Sequence, residues 1–341
     1  MTPFANGTAA NVTPVHGFEL PPEGREYRPT YSGGRYVLPD PTTGDTARFT
    51  RVTTGAHVLD DTSGLDNWKM GNVVLGLKEQ PDLLDSLDLF AEPADVRKQV
   101  RSIATRASEV AGANEASELG TAIHAWTEAV ERDGLAVDQV PTRFRPYVAA
   151  YVDILDQHGI TTLPGMVERI VYNADTGWVG TLDRIYRLAD GTHVIGDVKT
   201  SKTLQYGYLG FAVQLATYAN ATHMLNLEGT AWEPMPAVGN AYGVIAHIPS
   251  NRPGQASLVT LDLEAGAYAL GLAMEVKNVR ATAASVIPNK WPLPKPVDLF
   301  ALIQGATSAD QLAELFDSHA TMWTEEHTQA GYKRLSDLGL M

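Results

Sequence analysis

The chain has 341 residues, 44% of them hydrophobic, with no cysteine and a formal net charge of −14. Its length and apolar content fit one large domain or two small ones around a real core, and the missing cysteines exclude disulfides, thiolate metal sites and cysteine-ligated iron–sulfur clusters. The acidic balance counts against a protein that coats nucleic acid through bulk charge, but not against an enzyme that grips it in a local basic groove.

Residues 1–33 are rich in Pro, Gly, Thr and Asn and read as an extended arm. Two strands are expected at 35–38 and 47–52, around a Pro-Thr-Thr-Gly turn. Helical spacing begins at 63–77, through Leu65, Trp68, Met70 and Val73, and a second helix is expected over 93–110. That second helix carries Arg97, Lys98, Arg101 and Arg106, which read either as a solvated face or as phosphate contacts. Ala122, Ile123, Trp126, Ala129 and Val130 mark an amphipathic helix that Gly134 ends, with His124 and Glu128 four apart on one face. A helix over 143–158 and a strand over 166–172 follow.

Residues 177–218 organise the whole: strand, Ala189-Asp190-Gly191 turn, strand, then a helix expected over 206–225 that carries Gln214 and Tyr218 four apart. Asp183 lies on the first strand, Asp197 and Lys199 on the second, and residues i and i+2 of a strand share a face. Antiparallel pairing can therefore bring two carboxylates and an ammonium together, a trio able to hold a divalent metal and handle a water. Strands at 240–249 and 256–261 and an Ala/Leu-rich helix at 264–285 complete this region. A proline-rich linker at 288–296 leads to short helices over 297–340, with Ser308 resembling the start of a capping box. The expected organisation is 1–110 as arm, hairpin and helices, 111–288 as the core, and 296–341 as a small helical tail. No GxxxxGK[ST] loop is present, so no nucleotide cofactor is expected.

Each polar residue has a bland reading when taken singly. An Asp-Val-Lys on a strand is usually a surface ion pair, and a lone helical His is usually packed or solvated. Gln214 and Tyr218 could be a helix face on a sheet, and Glu128 could be a helix-surface partner of His124. His193, His223 and His247 have no partner spacing. Polar residues on several core elements aimed at one point, however, are costly unless they bind something.

Taken together, GTAIH, GTLDRI, VIGDVKT and QLATY resemble the motifs of the PD-(D/E)XK nucleases, in particular the RecB-type exonuclease branch, over about residues 116–225. VTT followed by LDNWKM is similar to phage members of that group. The resemblance implies an α/β fold, a mixed central sheet flanked by helices with an N-terminal extension and a helical tail. It implies Mg²⁺, or Mn²⁺ in its place, held by Asp183, Asp197, the backbone carbonyl of Val198 and His124. It makes Lys199 the group that orients the attacking water and stabilises developing charge, with Gln214 and Tyr218 positioning the strand or the phosphate. Glu168 and Glu128 are carboxylates of second rank, and Lys202 joins the basic helix as a candidate DNA contact.

The implied function is metal-dependent DNA cleavage, as an exonuclease in recombination or end processing. A structure-specific endonuclease, a non-catalytic DNA-binding scaffold on the same fold and an enzyme acting on RNA are the alternatives. The implied partners are DNA ends and a single-strand annealing or recombination protein that delivers them, with the C-terminal helices as a candidate docking surface. No apolar run is long enough for a membrane span and no signal-peptide pattern is present, so a cytoplasmic location is expected, the host's if the protein is phage-encoded. Many members of the branch hold an iron–sulfur cluster on four cysteines. This chain has none, so packing must close the domain instead.

Overall fold

A computed structural model describes residues 18–22, 24, 27–282 and 295–341, so part of the expected arm and most of the proline-rich segment lie outside the described residues. The chain forms two compact units, residues 1–281 and 282–341.

The first unit is built on a mixed, largely antiparallel sheet of ten strands. Three early strands, β1 (Thr30–Ser32), β2 (Arg35–Pro39) and β3 (Thr46–Arg51), form an antiparallel meander. In the turn between β2 and β3, Asp40 accepts the backbone N–H groups of Thr42 and Thr43 at 2.8 and 3.1 Å. The short helix α1 (Val52–Ala56) follows directly. Helices α2 (Ser63–Glu79) and α3 (Pro93–Val110) then form a hairpin with its own small core of Leu83, Ile103 and Ala107. Helix α4 (Glu115–Asp133) ends at Gly134, whose φ of +68° is the left-handed stop that glycine adopts without strain. Helix α5 (Arg145–Gln157) leads into β4 (Thr161–Asn173), β5 (Trp178–Arg187) and β6 (His193–Lys199). After α6 (Tyr208–Ala219) come β7 (His223–Leu225), β8 (Trp232–Pro234), β9 (Tyr242–His247), β10 (Ser257–Asp262) and α7 (Leu263–Ala281).

The two-residue alternation of the central strands sorts their side chains between two helix layers. Ile185, Ile195 and Ile245 pack with α1, α6 and α7. Tyr186, Val194, Val198, Val244 and Ala246 pack with α4 and α5. The N-terminal meander joins the sheet itself, because β3 pairs parallel with the start of β5 through Thr50 and Trp178 and through Arg51 and Val179.

The sheet forks at β6. Residues 193–196 pair antiparallel with β5, ending at Gly196 opposite Arg184. Residues 196–199 pair parallel with β9 instead. Asp183 and Asp197, the next residues outward on β5 and β6, therefore stand at the fork rather than inside a continuous ladder.

The helix expected to run through residue 225 stops at Ala219. Asn173 donates to the carbonyls of Thr217 and Asn220, both at 3.0 Å, closing that end, and His223–Leu225 leaves to pair with β4. The strand expected to start at 166 begins at Thr161, with a break in register between Thr162 and Val167.

In the second unit, α8 (Leu299–Gly305), α9 (Ala309–Ser318) and α10 (Glu325–Asp337) pack around Ile303, Ala306 and Leu312. Ser308 does cap α9, accepting from Gln311 N–H at 3.2 Å, while the Gln311 side chain returns to Thr307 N–H at 2.8 Å. Among the described residues no helix is long and apolar enough to cross a membrane.

Candidate metal centre

His124 is the hub of a polar cluster at the fork. Its Nδ1 lies 2.8 Å from Glu128 and 3.8 Å from Glu168, and its Nε2 lies 2.9 Å from Asp183. The Glu128 contact is the ordinary i to i+4 reach of a helix. The Asp183 contact joins α4 to β5. The same Asp183 oxygen accepts Val198 N–H at 2.9 Å, so a carboxylate takes over the ladder position that β5 gives up at the fork. His124, Glu128 and Glu168 each offer one ligand atom within 4.8 Å of the others. The two carboxylates ranked behind the aspartates in the sequence thus stand at the centre of the cluster.

Glu168 reaches that position by an unusual backbone. It is the one non-glycine residue with positive φ among the described residues, at +55°. It lies between Val167, paired with Arg184, and Arg169, paired with Leu182, and so beside Asp183. A left-handed conformation without glycine costs roughly 1–3 kcal/mol and persists where surrounding structure imposes it.

Asp197 and Lys199 share a face, as their spacing requires. Lys199 Nζ is 2.7 Å from Asp197 Oδ2, and its ammonium lies 5.0 Å from the Phe211 ring centroid. Gln214 Nε2 donates to Asp197 Oδ1 at 3.3 Å and lies 3.4 Å from Tyr218 OH. Asp197 is fully buried, and apart from the Lys199 ion pair its Oδ2 has no hydrogen-bond partner. That oxygen is held by the Lys199 ammonium rather than by a neutral donor.

Burial and the neighbouring Asp183 charge push the Asp197 carboxyl up to about 6, against the pull of Lys199. Burial also raises Asp183, but His124, Lys199 and Arg184 outweigh it and hold that carboxyl well below the usual range. Burial opposes charge on His124, yet Asp183, Glu128 and Glu168 keep its imidazole protonated well above the ordinary histidine range. Burial likewise opposes charge on Lys199, and Asp197 and Asp183 overcome it and raise its pKa.

Glu128 and Glu168 both approach His124 Nδ1 and Asp183 approaches Nε2, so the imidazole stands between two carboxylates on one side and one on the other. Hard oxygens with one nitrogen suit Mg²⁺ or Mn²⁺. Glu128 on Nδ1 fixes the ring so that Nε2 faces Asp183, the arrangement by which an outer carboxylate orients a ligating histidine.

Two glycines near the centre stand at close approaches. A Cβ on Gly180 would lie 2.6 Å from Tyr218 Cε1, and one on Gly120 would lie 2.5 Å from Thr200 Oγ1. The first lets the buried Tyr218 ring lie against β5, and the second lets α4 settle onto the end of β6.

Arg184 and Glu131 were not anticipated from the sequence. Arg184 is wholly buried, pairs with Glu131 through Nε, and donates to the Asp183 carbonyl at 2.8 Å. Glu131 also accepts from the hydroxyls of Tyr151, at 2.8 Å, and Thr162. This knot ties α4 to α5, β4 and β5. The available signal was spacing, since Glu131 falls seven residues after His124 and three after Glu128 on one helical stripe. Arg97, Lys98, Arg101 and Arg106 are exposed on α3, which packs on α2. Lys202 is exposed in the loop after β6. In comparisons with known proteins, no family model and no curated protein matches this chain.

Proposed function

We propose that this protein is a metal-dependent deoxyribonuclease of the PD-(D/E)XK type, RecB-like branch, acting on DNA ends in recombination or end processing. The observation that carries the reading is the convergence at the fork of His124 from α4, Asp183 from β5, and Asp197 with Lys199 from β6, with Gln214 and Tyr218 behind them on α6. Asp183, Asp197, the Val198 carbonyl and His124 would hold Mg²⁺ or Mn²⁺, with Glu168 beside them. Such an ion supplies Lewis acidity toward a phosphoryl oxygen and acidifies water.

The chain's own groups have separable tasks. Lys199 stays cationic between Asp197 and Asp183, so it serves as a fixed charge that orients water and stabilises negative charge on the phosphate, not as a base. Gln214 holds one Asp197 oxygen and Lys199 the other. Glu128 holds His124 Nδ1, so Nε2, which now faces Asp183, is the nitrogen that would be offered to an ion.

The test is degradation of an end-labelled linear duplex beside a covalently closed circle, in Mg²⁺, in Mn²⁺ and in EDTA. Metal-dependent loss of the linear DNA alone is expected, and the label gives the polarity. Cutting of the circle would make the protein an endonuclease. Lys199→Ala retaining wild-type activity would remove the site assignment.

A further inference from the structure

Strands β6 and β9 run parallel and leave the sheet at the same end, just beyond Lys199 and its pair partner His247. Crevices outside the carboxyl ends of parallel strands are where open α/β sheets bind ligands. Here the two departing loops are pinned to each other. Ile248 N–H donates to Lys199 O at 2.8 Å, Ser250 N–H to Thr200 O at 3.0 Å, and His247 Nε2 to Ser201 O at 2.8 Å. Tyr147 OH, from α5, donates to Ser250 O at 2.8 Å.

Between the loops lies a cleft of about 510 Å³, lined among others by Lys202, Tyr208, His247, Arg252, Gln255 and Ser257. No carboxylate lines it, in a chain that carries 40 acidic residues. Lys202 and Arg252 are both exposed, and neither has an ion-pair partner among the described residues. Tyr206, in the same loop as Lys202, is 87% exposed and offers an aromatic surface. Unneutralised cations, hydrogen-bond donors and an exposed ring are what a single strand's backbone and bases use.

We propose that this cleft holds the backbone phosphate of the DNA strand next to the one presented to Lys199, with Lys202 and Arg252 as its charge contacts. The proposal rests on the phosphodiesterase reading of the adjoining centre. It makes the substrate a strand continuing past the cleavage point on the β6–β9 side, not an isolated ester.

The experiment is fluorescence anisotropy of the full chain on a labelled single-stranded oligonucleotide in EDTA, over a series of salt concentrations. Loss of both charge contacts in Lys202→Ala/Arg252→Ala should weaken binding and lower the log–log salt slope by about 0.7, the share of one phosphate contact on a single strand. Lys69→Ala/Lys333→Ala removes the same charge from other exposed positions and should leave the slope unchanged. An unaltered slope in the cleft variant, or an equal fall in the control, overturns the proposal. If that happens while the wild-type chain still cleaves DNA, the nuclease reading stands alone. If the cleft variant loses its slope but the wild-type chain cleaves nothing with either metal, the cleft stands and the nuclease reading falls. A wild-type chain that neither binds nor cleaves DNA removes both.

Discussion

Glu131→Ala should be among the most destabilising single changes in the first unit. The substitution takes from Arg184, a guanidinium with no exposed surface, its close carboxylate partner and leaves it the more distant Glu168, at 3.9 Å. Breaking a buried ion pair by removing one member costs about 3–5 kcal/mol, because a charge remains in a poorly polarisable interior. Two hydroxyl donors lose an acceptor as well, although Tyr151 keeps Tyr186 OH at 3.1 Å. At roughly 2–4 °C per kcal/mol for chains of this size class, the apparent melting temperature should fall by about 6–20 °C. Thermal melts in EDTA of Glu131→Ala and of the apolar double variant Glu131→Leu/Arg184→Met separate a lost charge partner from lost packing. The double variant should recover most of the loss, since replacing both members of a buried pair by apolar groups is often neutral or better. A single variant that loses less than about 1 kcal/mol, the worth of a surface pair, would refute the reasoning. So would a double variant as unstable as the single.

Further expectations follow from the centre itself. Asp197→Asn should abolish cleavage and flatten the pH dependence of stability in EDTA. A carboxyl raised from 3.8 to about 6 gives stability that is full below pH 3.8 and gone above about pH 6, on the order of 3 kcal/mol. A denaturation series across that window checks it, and an undiminished slope in the variant would count against the assignment. Glu128→Ala should weaken Mn²⁺ binding about 10–100-fold by freeing the His124 ring, as measured by calorimetry. An affinity equal to wild type would mean Glu128 is only a helix-surface partner. Gly180→Ala forces the buried Tyr218 ring to move and should cost about 1–3 kcal/mol together with cleavage. Gly120→Ala meets only the tip of Thr200 and gains helix propensity, so its melting temperature should stay close to wild type. A Gly180→Ala variant as stable as Gly120→Ala would show that the close approaches at Gly180 do not matter.

Much of the core was legible because local pattern and tertiary use agree. The alternation in 178–187 and 193–199, the turn between them and the helical stripe around His124 appear where the residues imply. The fork was not legible, because the change of partner at Gly196 is decided by β9, far away in sequence. The break after Ala219 was missed for a related reason. Residues 220–225 remain apolar enough to extend a helix, and only pairing with β4 and the reach of Asn173 take them out of it. Glu168 and Glu128 were visible as carboxylates, but their rank depended on a backbone angle and a helix-to-strand contact that spacing alone does not give. Arg184 reads as an ordinary polar residue in a strand until its partner on α4 is known.

The left-handed backbone at Glu168 has a consequence for how this protein would respond to selection. Glycine or asparagine would occupy that conformation with less strain. A library of variants at this position sorted only for yield of folded protein should therefore drift toward Gly and Asn. The same library sorted for turnover should hold Glu, so the divergence between the two enrichments would measure how far fitness for chemistry and fitness for folding pull apart at a single codon.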